Sequence, residues 1–109
     1  MSYTYLASPY SHSDPQVREW RFGVVTRVAG ALMATGEAVF CPITHSHTID
    51  QACGLPSTHD FWMEMDIPIL RHAARVKVLM LPGWENSKGI AQEVETAVAN
   101  LIPVEYIKP

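Results

Sequence analysis

Hydrophobic positions along this chain alternate between a period of two and a period of three to four. Tyr3-Thr4-Tyr5-Leu6-Ala7 is a short β-prone run closed by Ser8-Pro9-Tyr10-Ser11, which predicts a first strand and a loop. Asp14 supplies an N-cap and Pro15 a first helical residue. Val17, Trp20, Val24, Val28 and Leu32 then recur on one helical face, and Gly36 ends that helix as its C′ residue. Residues 37–41 predict a second strand. Residues 42–57 have no clear period, and a loop of that length in a small domain points to a functional or mobile segment. Ser57-Thr58-His59-Asp60 reads as a capping box with aspartate in place of the usual glutamate. The helix it opens runs through Phe61, Trp62, Met65 and Ile69, with a kink or restart near Asp66 because Pro68 lacks an amide donor. Residues 76–81 are nearly all apolar, the pattern of a central parallel strand covered on both faces. Lys77 is expected near its start, where the ammonium reaches water. After the Pro82-Gly83-Trp84 turn, Asn86 or Ser87 caps a helix reaching about Asn100, with Ile90, Val94, Ala97, Val98 and Leu101 as its apolar stripe. Residues 103–107 form a last short strand.

The order β-α-β-α-β-α-β implies a parallel sheet with right-handed crossovers. The expected fold class is α/β: a small doubly wound, Rossmann- or flavodoxin-like sheet of order 2-1-3-4, forming a single domain over residues 1–109. Its switch point lies between the first and third strands. Ala7-Ser8-Pro9-Tyr10 and Pro82-Gly83-Trp84 would wall the crevice there, where open α/β sheets bind ligands.

Composition narrows the classes. At 109 residues, 48% of them apolar, the chain can bury one modest core. With 8 basic and 11 acidic residues and a net charge of −3, it carries no basic stripe, and a nucleic-acid duplex is not an expected partner. A small anion still is, since a few local donors suffice to bind one. Cys41 and Cys53 make neither a disulfide framework nor a metal knuckle, and reduced thiols in the cytoplasm are expected. No signal peptide and no membrane-length apolar run is visible.

Glu93 is the focal candidate. It sits six residues past Ser87 on the helix after the third strand, at the flank of the apolar stripe, between Gly89 and Ala97. Helical side chains lean towards the N-terminus, so its carboxylate leans over Gly89 towards the turn. The working hypothesis is a nucleophile acting on a sugar carbon, against a solvated surface glutamate. Trp84 or Tyr10 at the crevice wall could stack on a nucleobase, or simply cover the loop backbone. Arg21 could reach an anion, or lie solvated on the surface. His12 reads as a polar helix-entry residue. Trp20 and Trp62 fit helical core stripes. His45 and His47, two apart on an extended segment, would point the same way and with Asp50 or Asp60 could hold a metal; loop hydrogen bonding is the plainer reading, and no metal or cofactor is expected.

Tyr5-Leu6-Ala7-Ser8-Pro9-Tyr10, together with Ser87-x-Gly89-x-x-x-Glu93 and Ala97, resembles the nucleoside 2-deoxyribosyltransferase superfamily, which includes deoxynucleoside 5′-monophosphate N-glycosidases. The overall spacing is similar to a group of small bacterial and phage proteins usually placed beside it. The resemblance implies that Glu93 attacks C1′ of a deoxyribose, displaces the base, and forms a covalent intermediate that passes to another base or to water. It implies that Tyr5 orients Glu93, and that Asp66 contacts or protonates the leaving base. It also implies that Ser8 and Ser11 bind substrate, and that Ser87 with the amides of Lys88 and Gly89 faces a phosphate or sugar hydroxyl. Gly83 and Trp84 would contact base or sugar. The acid that members often carry near the start of the third strand is missing from Arg75-Val76-Lys77. The expected partner is a small nucleoside or nucleotide, and the superfamily's shared sites imply a homo-oligomer, a dimer or tetramer. Phe61, Trp62, Met63, Met65 and Ile67 lie on more than one helical face, which agrees with an interface. The other readings are a nucleotide-derivative sensor without turnover and a metal-dependent hydrolase built on His45 and His47.

Overall fold

The computed structural model of the chain describes residues 2–109. Four strands, β1 (Thr4–Ala7), β2 (Val39–Phe40), β3 (Arg75–Leu79) and β4 (Val104–Ile107), form one sheet of order β2-β1-β3-β4. Every pairing is parallel, with Tyr5 beside Phe40 and Val76, and Val78 beside Tyr106. The doubly wound α/β class and the 2-1-3-4 order expected from the alternation are both present.

Side chains on a strand alternate between faces, and two cores follow. Tyr5, Ala7, Val76 and Val78 face one way, against Leu70, Ile90 and Ala97 of helices α3 (His59–Leu70) and α4 (Lys88–Ala99). Leu6, Leu79 and Leu81 face the other way, against Val25 and Ala29 of α1 (Pro15–Ala34). This parity delivers Tyr5 to the α4 side of the sheet.

Several expectations are corrected. The stretch from 42 to 57 is not a loop: Pro42–Cys53 is a helix, α2, so two helices lie between β2 and β3. Its periodicity is faint because only Pro42 and His47 are buried. Its punctuation is plain: Pro42 opens the first turn and Gly54, at φ +66°, closes the last. The N-cap of α3 is Thr58, whose Oγ1 accepts from the Phe61 amide at 3.2 Å; Ser57 lies outside the cap. That helix runs unbroken through Asp66, because Pro68 falls in its last turn. Lys77 is not at the end of its strand. It lies mid-strand and half-buried, donating to Glu37 at 2.9 Å. Trp20 is half exposed, while Val24, Val28 and Leu32 of the expected stripe pack on the core beside the fully buried Val25 and Ala29. Val98 on α4 and Leu101 just past its end face solvent, and the buried residues of the helix are Ile90, Glu93 and Ala97. Ile90, Val94 and Ala97 of the expected stripe do meet the core, and the Glu93 carboxyl is buried among them. Among the described residues no helix is long and apolar enough to cross a membrane.

Candidate active site

The C-terminal ends of β1 and β3 open into a cleft of about 590 Å³. Its walls are the loop from Ser8 to His12, helix α2, helix α3, and the turn from Gly83 into α4. It occupies the switch point where the chain leaves β1 and β3 in opposite directions, the position expected from topology.

Glu93 lies in this cleft, 5% exposed. Its Oε2 accepts a hydrogen bond from the hydroxyl of Tyr5, which is itself fully buried. The partnership follows from two periodicities: strand parity turns Tyr5 towards α4, and Glu93 sits one turn from each of Ile90 and Ala97 on the helix face that meets it. A Cβ placed on Gly89 would lie 3.9 Å from Glu93 Oε1, in ordinary contact, so the carboxylate leans over the glycine. Ser87 caps α4 by accepting from the Ile90 amide at 3.2 Å. The amides of Lys88 and Gly89, with no carbonyl one turn back to bond, open onto the same cleft.

Burial sets the electrostatics. Desolvation raises Glu93 to about 8, against the Tyr5 hydrogen bond, which lowers it, and with repulsion from Asp66, which raises it further. Asp66, on α3, is raised to about 6 by burial. Tyr5 is raised by burial and by the neighbouring Glu93 charge, so it remains a donor. Burial thus disfavours the ionised form of both carboxyls, of Glu93 more than of Asp66. The structure brings Tyr5, Glu93 and Asp66 together as a coupled group of titrating side chains.

Arg21 joins the cleft's two loops, donating from Nη1 to Ser11 O at 3.0 Å and from Nη2 to Pro82 O at 3.2 Å. It holds the mouth in shape while lining it, and burial lowers its pKa. Gly83 is required beside it: its φ is +93°, and a Cβ there would come within 2.9 Å of Arg21 Nη2. Ser8, Tyr10, Ser11 and Lys88 also line the cleft.

Trp84 does not. Its ring packs on Tyr106 with centroids 5.4 Å apart and closes the sheet's edge core, because the 3-10 turn Trp84–Asn86 rotates it behind the wall. Trp62 takes the lining position instead, half-buried on α3. Its helical spacing resembled a core stripe, and only the docking of α3 over the sheet edge reveals its cleft face.

His45 and His47 diverge. Residues two apart on a helix lie on opposite sides, so the helical α2 removes the convergence an extended segment would give. His45 is exposed. His47 is 7% exposed, stacks on Phe22 at 3.9 Å, and bonds Tyr10 at 2.7 Å and Glu19 at 3.1 Å. Among the described residues no group of three histidine, cysteine, aspartate or glutamate side chains is placed to hold a metal ion.

Fold and cleft together define a doubly wound α/β protein with a buried glutamate–tyrosine pair at its topological switch point. Over residues 2–108 the chain matches the family described as Domain of unknown function (DUF1937), and it belongs to that family. No curated protein matches it.

Proposed function

We propose that this protein cleaves the N-glycosidic bond of a nucleoside or nucleotide, as an N-glycosidase or deoxyribosyltransferase, with Glu93 as the nucleophile. The observation that carries the reading is the Glu93 carboxyl, buried and bonded by the Tyr5 hydroxyl, on the floor of a cleft large enough for a small ligand. Tyr5 fixes one carboxyl oxygen and leaves the other towards the cleft, the orientation that attack on C1′ requires. Asp66 supplies the second carboxyl, to contact the departing base, or to protonate it once substrate binding shifts the pair's proton from Glu93 to Asp66 and leaves Glu93 ionised for attack. Lys88, the α4 amides and the Ser8–Ser11 loop offer donors to a phosphate or sugar hydroxyl. Trp62 and Tyr10 offer ring faces to the base.

The test is a panel of 2′-deoxyribonucleosides and their 5′-monophosphates, with free base followed by chromatography. Release by the wild type and none by Glu93→Ala supports the proposal. Equal release by both, or none by either, sinks it.

The burial of Glu93 favours a second reading, a nucleotide-derivative binding protein without turnover. Burial lifts the Glu93 carboxyl to about 8, which disfavours the ionised form that nucleophilic attack needs. Thermal stabilisation by a nucleotide without any product would select this reading.

A homo-oligomer in the cytoplasm fits either reading. Cys41 and Cys53 are free thiols, and Met65, Val98, Leu101 and Tyr106 present apolar surface to solvent. Light scattering on a sizing column would report the assembly, and a monomer would remove it from the proposal.

A further inference from the structure

Tyr10, His47 and Glu19 form a hydrogen-bonded chain from the cleft to the surface that the glycosidic chemistry does not use. Tyr10 and His47 both line the cleft; the Tyr10 hydroxyl lies 2.7 Å from His47 Nδ1, and His47 Nε2 lies 3.1 Å from Glu19 Oε2. Glu19 is well exposed, whereas His47 is 7% exposed and held flat on Phe22, with ring planes 20° apart. Each end of the chain constrains the next. An ionised carboxylate only accepts, so His47 must place its proton on Nε2 to bond Glu19. When the imidazole is neutral it carries one ring proton, so Nδ1 is then a bare acceptor and the Tyr10 O–H points at it. The lone pairs of the Tyr10 oxygen are what remain for a ligand.

We propose that Tyr10, oriented by His47 and Glu19, presents a hydrogen-bond acceptor to the cleft and selects ligands that carry an N–H or O–H donor at that wall. An unconstrained tyrosine would accept or donate as the ligand required. Here the donor is already committed inside the protein, so a ligand offering only an acceptor at this point would face oxygen with oxygen. For the nucleoside class proposed above, the matching groups are an exocyclic amino group or a sugar hydroxyl. Tyr10 is thus a specificity-determining residue, and His47 and Glu19 are positioning residues acting through it.

Two measurements test this. Nitrogen NMR of histidine-labelled protein at neutral pH reads the ring state without any ligand. His47 is expected as the neutral Nε2–H tautomer, and an Nδ1–H tautomer or a doubly protonated ring overturns the proposal. Calorimetry then compares 2′-deoxyadenosine with purine 2′-deoxyriboside, which lacks the amino group, and with 2′,3′-dideoxyadenosine, which lacks the 3′-hydroxyl. The proteins are Glu93→Gln, in which turnover is blocked, with and without Tyr10→Phe. Tyr10→Phe keeps the ring and its packing and is expected to weaken 2′-deoxyadenosine about tenfold, the worth of one hydrogen bond. It is expected to leave unchanged the analogue that already lacks the contacted donor. Equal weakening of all three probes, or of none, overturns the proposal. Failure of every probe to bind sinks the nucleoside reading instead, and the tautomer spectrum then decides the Tyr10 polarity by itself.

Discussion

Replacing Glu93 by glutamine should stabilise the protein, and by an amount that depends on pH. Glu93 is 5% exposed, and burial lifts it from an ordinary 4.5 to about 8. A carboxyl raised in the folded state binds its proton more tightly folded than unfolded. Its contribution is therefore fully present below pH 4.5 and is lost progressively as pH rises through about 8. At about 1.4 kcal/mol per pH unit, the loss reaches roughly 3 kcal/mol by pH 7 and roughly 5 kcal/mol above pH 8. Glutamine has no proton to lose and still accepts from Tyr5, at a cost of about 1 kcal/mol once the wild-type acceptor is charged. Glu93→Gln is thus expected to match the wild type near pH 4.5 and to exceed it by roughly 2–3 kcal/mol at pH 7. Urea unfolding curves at pH 4.5, 6, 7 and 8.5 would show the two stabilities diverging with an unchanged slope. A difference that stays constant with pH, or a variant less stable at pH 7, would refute the burial argument. The price of an active carboxyl in this position is stability that a neutral side chain would keep.

Three further outcomes follow from the same contacts. Tyr5→Phe removes the bond that lowers Glu93 and should move its titration above about 8, whereas Asp66→Asn removes a repelling charge and should move it below; carbon NMR of the Glu93 carboxyl reads both, and shifts in the same direction would contradict the assigned contacts. Gly83→Ala forces a left-handed residue and displaces the Arg21 guanidinium, so it should cost about 1–2 kcal/mol of stability by thermal melting; an unchanged melting temperature would contradict the close approach. Trp62→Ala should weaken nucleotide binding by about 1–3 kcal/mol in calorimetry, while Trp84→Ala should lower the melting temperature with little change in affinity; the reverse pattern would exchange their roles.

Much of the fold was legible because the strands obey simple rules. β1, with all four residues buried, and β3, inside a run from 76 to 81 that is apolar but for Lys77, take the central places, and parallel alternation ordered them. Helix α2 was hidden because a short helix with two buried residues has almost no periodic signal, although Pro42 and Gly54 bracket it twelve residues apart. Helix lean placed Glu93 at the turn, and the family resemblance named Tyr5 as its partner; the structure shows that strand parity is what turns the two towards each other. The aromatic wall was not legible. Trp84 stood at the right sequence distance from β3 but was turned away by one 3-10 turn, and Trp62 entered from a helix whose docking angle no local pattern encodes. His47 was visible only as part of a pair. Its true partners, Tyr10 and Glu19, lie 37 and 28 residues away in the chain and meet it only after α1 and α2 pack together.

The central claim is that Glu93 forms a bond to a sugar carbon. The most direct measurement is intact-protein and peptide mass spectrometry of wild type quenched during turnover of a 2′-deoxyribonucleotide. The account expects one 5-phospho-2-deoxyribosyl unit on the peptide containing Glu93, chased off by water or a second base, and no adduct on Glu93→Gln. An adduct that persists on Glu93→Gln, or base released at full rate by that variant, would contradict it.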